Sequence, residues 1–520
     1  MTALIYEITW IRPLSLVFGT TLYSITTIVA SFILGLGVGS WIAGKYADRL
    51  KNTLHYFGFT QIIIGIYGIS LLLVFPHLPD FYTTIYHATF PNYELFQSLQ
   101  VLFSILLLII PTTLMGSTLP LLLKTYSDDI KTIGQKVGKL DGSNSFGAMI
   151  GVLCAGFFMI PILGIQSTII VTASINFTIG FGVLISEKKL RKVAIIPVIV
   201  IMILVLIVLP AYNVDVLNSA VYYVKPSISL LELSEKNINN ILYYDESSYA
   251  SVIVQESGSR IVESNGTLII ERGIVLMING KIQCSDYEKS VQGLHNLANI
   301  PLNLYSDNFG VKPTSALNIG LGCGTSALVL GNSIPTTTIE IDPSVVKASE
   351  YFYDEIPHNL IIDDARNWLL RNSDTFDIII TEPTDPYVNN SVLFTKEYFE
   401  ILNDSTTTNG LVAQWIPVYI LTNYDFFTMY NTFHSVFPYV YGYEMEFGSD
   451  QQIILIGSKV VLDDYENRLF LFDQSTIKKL DTEINTDDKP ILEFNVSRNL
   501  YDVQRNSEIG KIDLVKEISK

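Results

Sequence analysis

A glycine-rich turn is the first feature of this sequence whose residue types and spacing could do chemistry. The apolar segment Ala316–Ile319 runs directly into Gly320–Thr325, which reads Gly-Leu-Gly-Cys-Gly-Thr. A second apolar segment, Thr336–Ile339, ends at Glu340, twenty residues after Gly320. Glycines let the backbone approach a ligand closely, and an acidic residue at the end of the second strand can bind ribose hydroxyls. Together they predict a nucleoside-binding site.

The spacing of Gly320, Gly322 and Gly324 narrows the kind of nucleoside. Dinucleotide-binding turns follow the pattern Gly-x-Gly-x-x-Gly and cradle a pyrophosphate, whereas this turn follows Gly-x-Gly-x-Gly. The difference favours a nucleoside that has no pyrophosphate, such as S-adenosylmethionine (AdoMet). A tight turn that binds nothing is the plain structural alternative, and the presence of Glu340 favours cofactor binding over it.

A polar pair follows a third apolar segment. Asp363 and Asp364 come directly after Leu360–Ile362, where a carboxylate could hold the adenine amino group. The alternative is that Asp364 caps a helix over Asn367–Leu370.

A fourth apolar segment, Asp377–Thr381, is followed directly by Glu382–Pro386, which reads Glu-Pro-Thr-Asp-Pro. Ligands bind at the carboxyl ends of strands in parallel sheets, so Asp385 is a candidate catalytic residue. Asp-Pro is also an ordinary turn signal, which is the structural alternative for Asp385.

Neither a metal site nor a disulfide is predicted. The six histidines lie far apart and show no metal-ligand spacing. The three cysteines, Cys154, Cys284 and Cys323, have no paired spacing, so the sequence supports neither a disulfide framework nor a CxxC site.

The elements that must position these residues fall into two kinds. Short strand-like segments at Ala250–Gln255, Thr267–Ile270 and Val275–Ile278, separated by turn residues, predict a small antiparallel sheet. From Ser315 onward, strands alternate with helical stretches, which predicts a mainly parallel α/β sheet.

The first 210 residues differ from the rest of the chain because they contain long apolar segments. The whole chain is 49% hydrophobic and 16% charged, against about 25% charged for an average soluble domain, and its mean hydropathy of +0.36 requires membrane segments. Met1–Ile11 is too short to span a bilayer alone. It could be the end of a helix that begins before this chain, and it lacks the features of a signal peptide. The candidate spans are Thr20–Ala43, Phe57–Phe75, Leu99–Leu123, Phe146–Leu163, Ile165–Ile185 and Val193–Leu209.

Charge separates the same two parts. Residues 1–210 carry 12 basic and 8 acidic side chains, a net charge of +4, and residues 211–520 carry 21 and 42, a net charge of −21. An acidic surface argues against nucleic acid, whose phosphates dominate its binding.

The basic residues of the first part predict a topology. All of them except Arg12 lie in three linkers, 45–51, 124–139 and 188–192, which the positive-inside rule puts in the cytoplasm. If 193–209 also crosses the membrane, everything after Pro210 lies outside the cytoplasm. The expected cofactor favours the cytoplasm instead, so the side of the soluble part stays open, with the cytoplasm preferred.

These motifs together resemble the spermidine synthase (polyamine aminopropyltransferase) family, and more narrowly its membrane-fused branch, in which helices precede the synthase domain. In the apolar part the resemblance rests on Leu4–Trp10 and Gly35–Asp48. In the soluble part it rests on Gly320–Gly324, Glu340–Pro343, Asp364–Arg366, Glu382–Pro386, Leu393–Phe399, Gln414–Trp415 and Thr486–Pro490.

The resemblance implies a fold, a reaction and residue roles. The fold is a multispanning helical membrane domain, then a small antiparallel β domain, then a Rossmann-like AdoMet-type domain. The reaction moves an aminopropyl group from decarboxylated AdoMet, the co-substrate, to an amine such as putrescine, without a metal. The resemblance assigns the ribose to Glu340, the adenine end to Asp364 and Ala365, and the attacking amine to Glu382 and Asp385, and it assigns the glycine turn to the cofactor.

The sequence also departs from the family pattern. Soluble synthases carry an Asp within the glycine turn, which holds the amine of the aminopropyl group, and this chain has Cys323 there. They open the later motif with Asp, where this chain has Glu382, and their downstream Tyr-Gln pair is represented only by Tyr287 and Gln292, out of register. The donor could therefore be AdoMet itself, which would make the protein a methyltransferase. A third hypothesis is a transporter or sensor that only binds a polyamine or nucleoside.

The predicted organisation is a transmembrane helical domain over 1–210, a linker over 211–244, a small β domain over 245–285, the Rossmann-like transferase domain over 286–470 and a C-terminal tail over 471–520. The expected partners are an amine substrate and the lipid bilayer. A homo-oligomer is left open.

Overall fold

A computed structural model describes most of the chain in two compact units, one that ends at residue 186 and one that starts at residue 240. The described residues are 1–18, 22–126, 133–186, 240–264, 267–354, 359–383, 386, 388–447, 450–463, 465–466, 469–477, 480–495 and 498.

The first unit is helical. Its helices are α1 (Thr2–Phe18), α2 (Leu22–Ala47), α3 (Thr53–Val74), α4 (Leu78–Thr89), α5 (Tyr93–Tyr126), α6 (Ile133–Cys154) and α7 (Ile160–Ser186), with a 3-10 turn at Phe75–His77 and a π-helical turn at Ala155–Met159. Among the described residues, four stretches are long and apolar enough to cross a membrane: Tyr23–Ala47, Thr53–Thr89, Tyr93–Tyr126 and Gly134–Ser186.

The predicted spans correspond to these helices, with one difference at the last of them. The segments 146–163 and 165–185, predicted as two spans, lie in one long apolar stretch that begins before residue 146. The helical backbone breaks at Gly164, whose φ is 75°, at the boundary between the two predicted spans. The predicted span 193–209 lies outside the described residues.

Small residues bring α2 and α5 into close contact. A Cβ atom at Gly35 would be 1.7 Å from Thr112 Oγ1, and one at Gly39 would be 1.9 Å from the Thr113 carbonyl oxygen. Ser40 Oγ donates to the Gly116 carbonyl at 2.9 Å. Small residues permit such close packing between helices, so Gly35 and Gly39 serve helix packing.

The second unit begins with a four-stranded antiparallel sheet. Its strands, in spatial and chain order, are β1 (Ile241–Glu246), β2 (Ser251–Ser264), β3 (Thr267–Ile278) and β4 (Lys281–Ser285). This is the small sheet that the turn residues predict. Strands β1 and β4 are additions that the sequence analysis did not predict, and the two segments predicted at 267–270 and 275–278 belong to one strand, β3.

The remaining residues form an eight-stranded sheet with helices. Its strands are β5 (Ala316–Ile319), β6 (Thr336–Glu340), β7 (Leu360–Ile362), β8 (Phe376–Thr381), β9 (Thr406–Ile416), β10 (Tyr439–Phe447), β11 (Asp450–Ser458) and β12 (Phe470–Asp473). The helices are α8 (Glu288–Phe309), α9 (Thr325–Ser333), α10 (Pro343–Ser349), α11 (Ala365–Arg371), α12 (Lys396–Asp404) and α13 (Asn423–His434), with 3-10 turns at Val388–Phe394 and Val418–Ile420.

The order of these strands is β12-β10-β11-β9-β8-β5-β6-β7. The five strands from β9 to β7 run parallel, and β10, β11 and β12 extend the sheet in antiparallel pairs. The sheet is buried on both faces: Ile378 and Ile380 of β8 pack into one apolar cluster and Ile379 packs into another. An unbroken apolar strand is typical of such a central position.

The prediction that the cysteines are unpaired is wrong for two of them. Cys284 of β4 and Cys323 form a disulfide, with their Cα atoms 6.1 Å apart. The two residues are 39 positions apart in sequence, so no spacing rule pairs them. They meet because β4 ends beside the turn that follows β5.

Candidate active site

The candidate site lies where the order of the parallel strands reverses. Strand β5 lies between β6 and β8, and the chain moves from β5 to β6 on one side and later to β8 on the other. Open α/β sheets bind ligands at such a switch point, beyond the carboxyl ends of the strands. The glycine turn, Glu340 and Glu382 directly follow or end β5, β6 and β8.

The glycine turn has a backbone shape that its glycines make accessible. The φ angles of Gly320, Gly322 and Gly324 are 89°, 50° and 91°, all in the left-handed region that glycine enters at little cost. Gly320 also lies against the start of the next segment, since a Cβ atom there would be 3.3 Å from Glu382 Cβ. Helix α9 begins immediately after Gly324.

Glu340 supports this turn from the neighbouring strand. Its Oε2 accepts a hydrogen bond from Leu321 N and its Oε1 accepts one from Asp342 N, both at 2.9 Å. The residue is 7% exposed, and burial raises its pKa. A carboxylate has about four acceptor positions, so these bonds leave capacity for ribose hydroxyls.

Hydrogen bonds from two side chains hold Glu382 next to the glycine turn. Its Oε1 accepts from Asn318 Nδ2 at 3.0 Å and from Ser326 Oγ. Burial raises the pKa of Glu382 to about 8, and the nearby Glu340 adds to the increase. The raised pKa favours the protonated carboxyl group, which is already hydrogen-bonded within the protein.

Asp364 caps helix α11, as the structural alternative predicts. Its Oδ1 accepts from Asn367 N at 2.8 Å, and Ala365 is the first residue of the helix. The preceding Asp363 pairs with Arg371 at the other end of the same helix. A capping carboxylate that uses one oxygen keeps the other for a ligand, so this geometry is compatible with an adenine contact.

Asp385 lies outside the described residues, as do Thr384 and Tyr387. The structure describes the residues that precede this segment, up to Pro383, and the 3-10 turn Val388–Phe394 that follows it.

A segment near the C-terminus holds that 3-10 turn. Asn485 is fully buried, and its Nδ2 donates to the Phe394 carbonyl at 2.9 Å. The Asn485 carbonyl in turn accepts from Lys396 N at 2.9 Å. We call residues 485–493 the C-terminal strap, because they cross the end of the turn and hydrogen-bond to it.

Arg366 joins the strap to helix α11. Its guanidinium group binds both carboxylate oxygens of Asp487, with Nη1 to Oδ1 at 2.9 Å, and Nη1 also donates to the Val392 carbonyl at 3.2 Å. This pairing holds the pKa of Asp487 below its ordinary value. The sequence analysis quoted Arg366 and Asp487 only as parts of two motifs and did not predict that they meet.

The small antiparallel sheet also reaches the site. Ser344 Oγ, at the start of α10, donates to Asp245 Oδ2 at 2.8 Å, and Tyr351 OH donates to the Leu242 carbonyl at 3.0 Å. Both acceptors lie on β1. The strand that the sequence missed thus braces the residues that follow Glu340.

Among the residues that the structure describes, no group of three or more His, Cys, Asp or Glu side chains could hold a metal ion.

Comparison with known proteins assigns the region that contains this site. A model of the spermine/spermidine synthase domain matches residues 316–447, the range that holds the glycine turn, Glu340, Asp364 and Glu382. This region of the chain is therefore similar to the spermidine synthase family. The resemblance in the sequence motifs is therefore confirmed.

Curated relatives of this family match parts of the chain. Spermidine synthase from Schizosaccharomyces pombe is 28% identical over 205 residues, which cover 36% of this chain and 61% of that enzyme. The chain thus spans less than two thirds of its length. A polyamine aminopropyltransferase from Oceanobacillus iheyensis is 23% identical over 434 residues, which cover 80% of this chain and 76% of that protein.

Among solved structures, a spermidine synthase in complex with the transition-state analogue AdoDATO aligns over 51% of this chain and 88% of its own, with 18% identity and a TM-score of 0.36.

Proposed function

We propose that this chain is a membrane-anchored polyamine aminopropyltransferase, which moves an aminopropyl group from decarboxylated AdoMet to an amine such as putrescine. The observation that carries the proposal is the convergence of the glycine turn, Glu340 and the segment after β8 at one switch point, inside a spermidine synthase domain. The curated relatives named above act as synthases or aminopropyltransferases by their names, which supports a transferase.

In this proposal the donor lies along the carboxyl ends of β5, β6 and β7. The glycine turn receives the part of the donor around the sulfonium, since its glycines permit close approach. Glu340 accepts the ribose hydroxyls with the acceptor positions that Leu321 and Asp342 leave free. Asp364 and Ala365, at the start of α11, lie beside the adenine.

The reaction is a displacement at the methylene carbon beside the sulfonium. The amine nitrogen forms the new C–N bond, the C–S bond breaks with its electrons going to sulfur, and a neutral methylthio-nucleoside leaves. Only an unprotonated amine is a nucleophile, so a carboxylate that accepts or steers its proton assists the reaction. Asp385 has this role in the proposal, and alignment of donor and amine supplies much of the rate.

The N-terminal unit is the membrane anchor in this proposal. Four stretches of it are long and apolar enough to span a bilayer. The aligned region of the Oceanobacillus relative covers 80% of this chain, so it extends beyond the synthase domain.

Substitution of Asp385 tests the proposed function. Asp385→Asn keeps the size of the side chain and removes its charge and basicity. We expect turnover with an amine acceptor to fall by about 10²–10⁴, the usual contribution of a positioned general base, while calorimetric affinity for methylthioadenosine stays unchanged. Full activity in the variant would remove Asp385 from the mechanism, and joint loss of binding and folding would leave it only a structural role in the turn.

A methyltransferase that uses AdoMet itself is the second candidate. The observations that favour it are the disulfide at Cys323 and the raised pKa of Glu382. Neither group presents a negative charge to the amine of an aminopropyl tail. Transfer of a methyl group instead of an aminopropyl group to the acceptor would establish this candidate.

A further inference from the structure

A covalent link joins the small antiparallel sheet to the glycine turn. Cys284 lies near the end of β4, opposite Leu276 of β3, and Cys323 lies within the turn. Their side chains are 2% and 1% exposed. The disulfide therefore forms a buried tie between the turn and a strand that the parallel sheet does not contain.

The disulfide lies within the part of the turn that has the most conformational freedom. Gly322 and Gly324 flank Cys323, and both have positive φ angles. A Cβ atom at Gly322 would be 3.8 Å from Cys284 Sγ and 3.4 Å from Glu382 Oε2, so the bridge and this carboxyl group both lie close to Gly322. Glycine has more conformational freedom than any other residue, and a turn of this composition needs external contacts to hold one shape.

Hydrogen bonds fix the two ends of the turn. Leu321 N donates to Glu340 at 2.9 Å, and Gly324 N donates to the Leu321 carbonyl at 2.7 Å. The disulfide acts between these ends, at Cys323.

We propose that Cys284 and Cys323 are positioning residues of the donor site, and that the turn binds the donor tightly only while their disulfide is intact. This inference rests on the proposed function, because it gives the bridge a role in the same donor site. An intact bridge holds the turn in its bound shape before the donor arrives, which lowers the entropic cost of binding.

Reduction of the disulfide releases the turn from this constraint. A dithiol reductant supplies two electrons and two protons, the S–S bond breaks, both cysteines become thiols, and the reductant becomes a disulfide. The thiols are weak hydrogen-bonding groups, so they do not replace the covalent link. Backbone rotation at Gly322 and Gly324 can then change the position of Cys323.

The disulfide also indicates on which side of the membrane the donor site lies. Disulfides persist in oxidising compartments and are rare in the cytosol. The basic linkers 45–51, 124–139 and 188–192 indicate, by the positive-inside rule, that a chain which crosses again after 192 has its soluble part outside. Both arguments agree, and the inference puts the donor site on the non-cytoplasmic side.

Calorimetry with methylthioadenosine tests the positioning role. The full-length protein in detergent is titrated in oxidised form, after reduction with dithiothreitol, and after reoxidation. We expect reduction to weaken binding at least tenfold and reoxidation to restore it. Equal affinity in both redox states would overturn the inference and leave the proposed function standing. No binding in either state would overturn both.

Matched variants separate positioning from folding. Cys284→Ser and Cys323→Ser should each bind like the reduced protein and ignore dithiothreitol, and Cys154→Ser, at the free cysteine, should keep the redox response. Steady-state kinetics should show a raised KM for the donor and an unchanged KM for the amine. An equal rise in both KM values, or a loss of kcat alone, would contradict a role at the donor turn. If the Ser variants do not fold, the reversible redox titration of the wild-type protein still decides the point.

Labelling in intact cells tests the compartment. Single cysteines are introduced at two exposed positions, Asn303→Cys on α8 and Asn52→Cys directly after the first basic linker, in a Cys154→Ser background. A membrane-impermeant maleimide should label position 303 in intact cells and position 52 only after lysis. Protection of position 303 until lysis would overturn this placement.

Discussion

The proposed donor half and the proposed acceptor half of the candidate site are built in different ways. The donor half consists of short segments, Gly320–Thr325 and Glu340, that directly follow or end buried parallel strands. The acceptor half follows β8, and contacts with a distant part of the chain hold its described portion. Asn485 bonds Phe394, 91 positions away, and Asp487 bonds Arg366, 121 positions away.

This difference shows which part of the site a local sequence motif can specify and which part it cannot. The glycine turn owes much of its shape to its own φ angles and to an acid on the next strand, which a local motif specifies, and the Cys284–Cys323 bridge adds a tie from outside the motif. The 3-10 turn Val388–Phe394 carries no comparable signature. Its position depends on side chains of the C-terminal strap, and a change there should alter the acceptor half and spare the donor half.

The largest effect on nucleoside affinity is expected from the donor half. Glu340→Ala removes a buried carboxylate that supports Leu321 and is proposed to bind the ribose. Loss of a charge-assisted hydrogen bond costs about 1.5–3 kcal/mol, so calorimetric affinity for methylthioadenosine should fall by about tenfold or more. Glu340→Gln retains one acceptor and should lose less. Unchanged affinity in both variants would mean that the nucleoside lies elsewhere.

A smaller effect is expected from the strap. Asp487→Asn removes the charge that pairs with Arg366 and keeps the shape of the side chain. The two side chains are 39% and 19% exposed, so a bidentate pair of this kind contributes about 1 kcal/mol. The KM for the amine should rise about threefold to tenfold, with nucleoside affinity unchanged.

The neighbouring Asp488 is the matched control, because it carries the same charge and is exposed. Asp488→Asn should leave both kinetic constants at their wild-type values. The charge exchange of Arg366→Asp with Asp487→Arg should recover part of the loss. A rise in donor KM with Asp487→Asn would contradict the division of the site into two halves.

A third prediction concerns the pH dependence of stability and not binding or catalysis. The folded-state pKa of Glu382 is about 8, which is above the ordinary value of a glutamate. Its stabilising contribution is therefore fully present below that ordinary value and is lost as the pH rises toward 8. Glu382→Gln mimics the protonated form, so its midpoint of thermal unfolding should approach that of the wild type at pH 5 and exceed it at pH 8.

Each kcal/mol corresponds to about 2–4 °C for a unit of this size. Glu350→Gln, at an exposed position, is the control and should follow the wild-type pH profile. Parallel pH profiles for Glu382→Gln and wild type would show that Glu382 is ionised in the folded protein.

The sequence predicts the sheet better than the site. Strands β5 and β7 have the predicted bounds, because each is a short apolar segment that ends directly before a glycine or an acidic residue. Strand β1 was missed because its segment, Ile-Leu-Tyr-Tyr-Asp-Glu, lacks the alternating pattern of a half-buried strand.

Within the site, the residues next to strands were predictable and the long-range partners were not. The position of Glu340 follows from its place at the end of β6. The internal hydrogen bonds of Glu382 depend on Asn318 and Ser326, which no motif connects to it. The Cys284–Cys323 bridge depends on how two different sheets meet, and a cysteine in place of an acid within the turn was the one signal in the sequence that pointed to it.

The most direct test of the central claim is the identity of the transferred group. Purified full-length protein is incubated with decarboxylated AdoMet or with AdoMet, each with a panel of amines that includes putrescine, and the products are analysed by mass spectrometry. The account predicts an aminopropylated amine and methylthioadenosine from decarboxylated AdoMet, and no amine product from AdoMet. A methylated product formed only from AdoMet would contradict it.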